Sequence, residues 1–205
     1  MSGTRPGRWV LATSNRSKLA EFRQLLGPSG FELVSVAELV DYVAPEETAS
    51  TFVENALIKA RHAASATGLP ALADDSGLVV PALDGAPGVR SARYAGPAAD
   101  DSANLRKLLA VLEGRPAAER FASFHCAIAA LRSADDPVPI IAMGSWNGSI
   151  APQASGRNGF GYDPVFFDPT LGLTAAELPA EVKNGQSHRA RAVAELRRQL
   201  DALAP

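Results

Sequence analysis

The sequence predicts an α/β fold, and three observations carry that expectation. Short apolar runs alternate with segments of helical period through the first half of the chain, the period then changes to that of strands, and the chain closes on a helix. With 205 residues, 46% of them hydrophobic, the chain can bury a sizeable core as one large domain or two intimate lobes. One folding unit is expected.

Trp9–Ala12 reads as a strand. Polar residues Thr13–Lys18 lead from it into Leu19, Phe22, Leu25 and Leu26 at helical spacing, and Gly27 and Pro28 end that helix. Phe31–Val36 reads as a second strand. Thr51 and Glu54 form a capping-box pattern that opens a helix through Phe52, Val53, Ala56, Leu57, Ala60 and Ala64, closed by Gly68 and Pro70. The apolar runs Leu69–Ala73 and Leu78–Leu83 predict two strands on either side of Asp74, Asp75, Ser76 and Gly77. Asp84–Gly96, rich in Gly, Pro and Arg, reads as a loop before an amphipathic helix near Ser102–Leu112, with Leu105, Leu108, Leu109 and Leu112 on its face. Phe121–Leu131 and Val138–Trp146 predict a hairpin. Gly156–Asp163 is a glycine-rich loop ahead of a short strand, Pro164–Phe167, and a last helix runs from Ser187 through Val193, Leu196, Leu200 and Leu203.

The formal charge of −2, from 20 basic and 22 acidic residues, supplies no basic field for duplex nucleic acid, so no nucleic-acid partner is expected. The lone Cys126 cannot form an internal disulfide, which suits a reducing cytoplasm. No apolar run approaches the ~20 residues that span a bilayer, and polar Met1–Arg8 has no signal-peptide core behind it. A soluble cytoplasmic protein without a membrane partner is expected, with Met1–Arg8 a flexible terminus before one domain over 9–205. Three scattered histidines argue against a zinc site, and His62 and His125 read as structural.

Adjacent Asp74 and Asp75 are the most informative feature. Like charges that are buried need a metal ion, a shared proton or a cationic ligand, so this segment reads either as a magnesium or acid/base site or as a polar turn between strands. Thr13, Ser14, Asn15, Arg16, Ser17 and Lys18 sit where a strand gives way to a helix, an arrangement that suits phosphate, although capping alone would explain Ser14 or Asn15. Glu46 and Glu47 precede a helix whose dipole stabilises them with no further role. Asn55 and Lys59, one turn apart, could reach a phosphate or line a solvated face. In the Gly156–Asp163 loop, Phe160 and Tyr162 could stack on a base or plug a hairpin. Lys183, Asn184, Ser187, His188 and Arg189 cluster donors just before and within the first turn of the last helix, where cations are unfavourable unless a ligand or an acid meets them.

Taken in order, LATSNRSK, EETASTFVENALIKARHAA, ADDSGLVVPALDGAPGVRSARYAG, FHCAIA, GSWNG, GFGYDPVF, TAAEL and SHRARA resemble the inosine/xanthosine triphosphate pyrophosphatase family over almost the whole chain. The resemblance implies an elongated mixed β-sheet with flanking helices, two lobes around a central cleft, and a homodimer. It implies magnesium-dependent hydrolysis of deaminated purine nucleoside triphosphates to the monophosphate and pyrophosphate. Thr13, Ser14, Asn15 and Lys18 would hold the triphosphate, Ser14 standing where many members have Gly, with Arg16 and Ser17 in the same loop. Glu47 and Asp75 would hold magnesium, with Asp74 and Glu46 as further candidate ligands, and Asp75 would be the proton acceptor. Ser76 would touch the substrate, and Phe160, Gly161, Tyr162 and Asp163 would frame the base with Lys183, His188 and Arg189.

Asp75 could take a proton from the attacking water or orient that water through the metal, and Asp74 could share either task. Hypoxanthine and xanthine carry an oxygen at position 6 that donors such as Arg189 or His188 can meet, whereas adenine offers an amino group there. Two other classes remain open at this level: a Maf-like pyrophosphatase for pyrimidine or modified nucleotides, and a non-catalytic nucleotide sensor.

Overall fold

A computed structural model describes residues 7–14, 16–27 and 31–202. Its elements are β1 (Gly7–Leu11), α1 (Arg16–Leu26), β2 (Phe31–Ser35), α2 (Phe52–Thr67), β3 (Ala71–Val79), α3 (Asp101–Val111), β4 (Phe121–Leu131), β5 (Ile140–Ile150), β6 (Phe166–Asp168), β7 (Leu173–Thr174), α4 (Ala180–Gln186) and α5 (His188–Ala202). The strands form one seven-stranded sheet in the order β2-β1-β3-β4-β5-β6-β7. It is mixed: β1 runs parallel to β2 and to β3, while β6 is antiparallel to both its neighbours. The chain divides into two compact units, the first drawn from Met1–Asp75, Cys126–Gly144 and Ala190–Pro205, the second from Ser76–His125 and Ser145–Arg189.

The first unit is doubly wound. From β1 the chain crosses through α1 to β2, then returns through α2 past β1 to β3, and right-handed crossovers in opposite directions put the two helices on opposite faces. The cores confirm it. Leu11, Leu33 and Leu72 pack with Leu19, Phe22 and Leu26 of α1 and with Ala192, Val193 and Leu196 of α5. Their strand neighbours Val10, Val34 and Ala71 face the other way, onto Ala63 and Ala64 of α2. A Thr51–Glu54 capping box opens α2 and left-handed Gly68 closes it, as the pattern predicts.

In the second unit Leu78, Leu108, Leu112, Phe124, Trp146, Tyr162 and Phe166 share one core. Buried Arg120 gives all three guanidinium nitrogens to backbone carbonyls, Nε to Ile150 at 2.6 Å, Nη1 to Leu112 at 2.7 Å and Nη2 to Ala151 at 2.9 Å.

Several expectations need correction. The two strands expected around Asp74 and Asp75 are one continuous strand, β3, so these residues are in neither a turn nor a strand end. Gly7 and Arg8, expected to be loose, pair with Phe31 and Glu32; Met1–Pro6 lie outside the described residues. The second hairpin strand is β5, extending to Ile150, where Ser149 and Ile150 pair with β6 despite the weak strand propensity of the preceding Asn147 and Gly148. Helix α4 and the two-residue β7 went unanticipated, because segments this short show no period. Among the described residues no helix is long and apolar enough to cross a membrane.

Candidate active site

Register explains why the first unit concentrates polar groups after β1. Val10 and Leu11 pair with Ala71 and Leu72, so β1 ends as β3 continues, and Asp74 and Asp75 lie beyond the carboxyl end of β1 alongside the loop that opens α1. The chain leaves β1 for β2 on one side and returns past β1 to β3 on the other, which makes the carboxyl end of β1, beside β3, a topological switch point, the place where open α/β sheets bind ligands.

Because successive strand residues point to opposite faces, the two acids do not form a pair. Asp74 follows the parity of Leu72, toward α1, and its Oδ1 meets Lys18 Nζ at 2.6 Å. Asp75 follows Ala71 and Ala73, toward α2, and its Oδ1 meets Lys59 Nζ at 2.9 Å. Each carboxylate is buried and each has its own lysine from the helix on its side.

Asn55, Lys59 and His62 lie at i, i+4 and i+7 on α2 and together hold the irregular segment that carries Glu47. Ala49 N donates to Asn55 Oδ1 at 3.1 Å, which turns the amide so that its Nδ2 donates to Asp75 Oδ2 at 3.2 Å. Lys59 Nζ donates to Glu47 Oε1 at 2.8 Å as well as to Asp75, and the His62 ring nitrogen meets the carbonyl of Val43 at 3.0 Å. Burial pushes the Asp75 carboxyl above its usual range, against the pull of Lys59 and Asn55, and Glu47 adds to the rise. Burial works to lower the Lys59 pKa, but the charges of Asp75, Asp74 and Glu47 outweigh it and hold the ammonium above its ordinary value. The cation answers several carboxylates while Asp75 has one close ammonium, which accounts for both directions.

The second unit holds the glycine-rich loop. Arg157 N and Asn158 N both donate to the carbonyl of Ala176, and Gly156, at φ +84°, packs so closely on that backbone that no Cβ fits. Asp163 Oδ2 accepts from Phe160 N at 2.9 Å and from Lys183 Nζ, whose ammonium lies 5.4 Å from the centre of the Phe160 ring. Tyr162 is buried and donates its hydroxyl to the carbonyl of Ser91 at 2.8 Å, so it is a core residue and offers no face for stacking. Phe160 is 62% exposed and does offer one. His188 is buried with its ring stacked on Phe124, centroids 4.8 Å apart, and Arg189 beside it is buried too.

The sequence profile of the Ham1 family matches residues 9–199. The chain belongs to the Ham1 family. A dITP/XTP pyrophosphatase of Pectobacterium atrosepticum is 57% identical over 195 residues, 95% of this chain and 96% of the relative. Among solved Ham1 structures, the Coxiella burnetii protein is 50% identical with a TM-score of 0.90, covering 95% of this chain and 98% of that one. The Staphylococcus aureus Ham1 protein is 40% identical with a TM-score of 0.86, covering 96% of this chain and 100% of that one.

In this Ham1 chain, the sequence-predicted residues divide by unit. The first unit brings together Lys18 with Asp74, and Glu47 with Asp75 through Lys59, and Glu46 is exposed. Thr13 and Ser14 precede α1 as expected, while Asn15 and the side chains of Arg16 and Ser17 lie outside the described residues. Asp84 is the one non-glycine residue at positive φ among the described residues, so Ser14 replaces glycine without strain. In the second unit Ser76 is half-buried, and Lys183 and Asn184 belong to α4 rather than to the approach of the last helix. Asn55 and Lys59 were underweighted by sequence reasoning, which favoured a solvated helix face. Asn55 is in fact fully buried and the Lys59 side chain is 12% exposed. Their signal was present as a polar stripe at 55, 59 and 62 beside the alanine-rich core face.

Proposed function

We propose that this chain hydrolyses deaminated purine nucleoside triphosphates, such as inosine, deoxyinosine and xanthosine triphosphates, to the monophosphate and pyrophosphate. Membership of the Ham1 family and the names of its relatives support the substrate class. The observation that carries the chemistry is Asp75, a buried carboxylate at the switch point with an amide and an ammonium locked on its two oxygens.

The donor set fits magnesium. Glu47 and Asp75 converge on one cation, Lys59 Nζ, and two carboxylates completed by water and substrate phosphates are a usual way to hold this ion. When bound, magnesium supplies charge neutralisation to the phosphate oxygens.

The chain's own residues do the rest. Lys18 and the backbone ahead of α1 take the outer phosphates at the positive end of the helix. Asp74, across the strand, holds Lys18 in place until phosphate takes the ammonium. Asp75 orients the attacking water toward the α-phosphorus and accepts its proton at a carboxylate oxygen. Pyrophosphate leaves as a unit held by Lys18. In the second unit, Phe160 stacks on the base, and Arg189 and His188 meet the oxygen at position 6. We place the enzyme in the cytoplasm as a homodimer, on the family resemblance and on a sequence whose single cysteine, buried Cys126, cannot form an internal disulfide; light scattering on the purified protein tests the dimer.

The deciding experiment follows product formation from inosine, xanthosine, guanosine and adenosine triphosphates with and without magnesium. Magnesium-dependent release of monophosphate and pyrophosphate from the first two is expected. Orthophosphate as the product, or preference for adenosine triphosphate, overturns the reading.

A further inference from the structure

The loop that presents Phe160 is fixed from outside by a residue that no motif reading singled out. Gly161 N donates to Asp101 Oδ2 at 2.8 Å, across sixty residues of chain. Asp101 is not needed as a helix cap, because Asp100 caps α3 by accepting from Ala103 N at 2.7 Å. A second tether joins the next residue: the Tyr162 hydroxyl reaches the carbonyl of Ser91, in the short turn Gly88–Arg93. That turn is itself bolted to α3, since Asn104 accepts from Ala95 N at 2.7 Å and donates to the carbonyl of Ala92 at 3.0 Å. The first turns of α3 and the segment packed on them thus form one frame, tied to the glycine-rich loop at 161 and 162.

We propose that Asp101 is a positioning residue for purine recognition, holding the Gly161 amide so that the Phe160–Asp163 loop presents the Phe160 ring in one conformation. Gly161 is at φ +62°, a backbone state that glycine enters and leaves at little cost, so the loop needs an external contact to stay in it. Within the loop, Asp163 fixes Phe160 N and buried Tyr162 fixes its own end, which leaves the Gly161 amide as the bond controlled by Asp101. The large exposed face of Phe160 gains from such order only when a ligand covers it. The inference rests on the assignment of this loop to the base.

The test compares wild type, Asp101→Ala and Asp101→Asn. The KM for inosine triphosphate and the competitive inhibition constant of inorganic tripolyphosphate, which carries phosphates and no base, are measured for each. Loss of one charge-assisted hydrogen bond at a partly exposed site should raise the KM of Asp101→Ala about three- to tenfold with kcat nearly unchanged. The tripolyphosphate constant should stay at the wild-type value. Asp101→Asn, which keeps an acceptor oxygen, should recover most of the loss, and amide exchange across Phe160–Asp163 should quicken in the alanine variant alone. An unchanged KM in Asp101→Ala overturns the proposal, as does equal weakening of tripolyphosphate, which would mark general damage. Wild type that does not turn over inosine triphosphate would instead remove the assignment of the loop to the base, and the proposal with it.

Discussion

Replacing Lys59 by methionine removes one ammonium and leaves two carboxylates facing each other. Lys59 Nζ lies 2.8 Å from Glu47 Oε1 and 2.9 Å from Asp75 Oδ1, so those oxygens are no more than roughly 6 Å apart. At an effective dielectric constant of about 20, two unit charges at that separation repel by about 3 kcal/mol. Removing one partner from a buried pair costs ~3–5 kcal/mol, and because Glu47 keeps 26% of its side chain exposed, the lower end applies, about 3 kcal/mol. Urea unfolding of wild type and Lys59→Met at about pH 8, where protonating a carboxyl is a costly escape, should show that deficit in the presence of a chelator. Excess magnesium should shrink it, since a divalent cation held by Glu47 and Asp75 replaces the missing charge, and the variant should gain more from magnesium than wild type does. A deficit of the same size with chelator and with magnesium would refute the claim that lysine and metal answer the same carboxylates. A deficit under about 1 kcal/mol in chelator would refute the electrostatic account itself.

Four further outcomes follow from the same geometry. Asp75→Asn should nearly abolish turnover while the protein stays folded, measured as pyrophosphate release beside a thermal melt; near-normal rates would remove Asp75 from the chemistry. Arg189→Ala should lower kcat/KM for inosine triphosphate far more than for adenosine triphosphate, shifting their ratio by about one to two orders of magnitude for a lost bond of roughly 1.5–3 kcal/mol; equal slowing of both substrates would assign Arg189 to phosphate or to the fold. Burial, with smaller contributions from Tyr94 and Asp101, pushes the Tyr162 phenol well above its ordinary value of 10.0, so the stability it contributes is complete below that pH and is lost as pH rises through its folded value. Above the ordinary phenol pKa wild type should therefore lose about 1.4 kcal/mol per pH unit more than Tyr162→Phe, and parallel unfolding profiles would contradict this. Arg120→Met should destabilise the fold by about 3 kcal/mol in urea titrations, because three backbone carbonyls lose a charged donor together; an effect below about 1 kcal/mol would show that water replaces it.

Local pattern reading placed β1, α1, β2, α2 and α3 close to where they stand, because each has a long enough period, or a cap as clear as Thr51 with Glu54, to be legible without neighbours. It failed at Asp74 and Asp75. Asp, Ser and Gly have turn propensity, so four such residues in a row read as an interruption, whereas pairing within the sheet carries β3 straight through them. It also treated Phe160 and Tyr162 alike. Two aromatics two residues apart in a glycine-rich loop are equivalent as text, and only the packed core and the carbonyl of Ser91 decide that Tyr162 is buried and Phe160 exposed.

The sequence by itself determined the chemical inventory: which acids, lysines and hydroxyls exist, that Thr13–Lys18 lies between a strand and a helix, and that the assembled motifs resemble one family of nucleotide pyrophosphatases. Tertiary structure decided who meets whom. Strand alternation sends Asp74 and Asp75 to opposite faces, opposite crossovers bring a different helix to each face, and so Asp74 pairs with Lys18 and Asp75 with Lys59. Those partnerships depend on parity in the sheet and on the direction of chain return, which are long-range properties that no window of sequence contains.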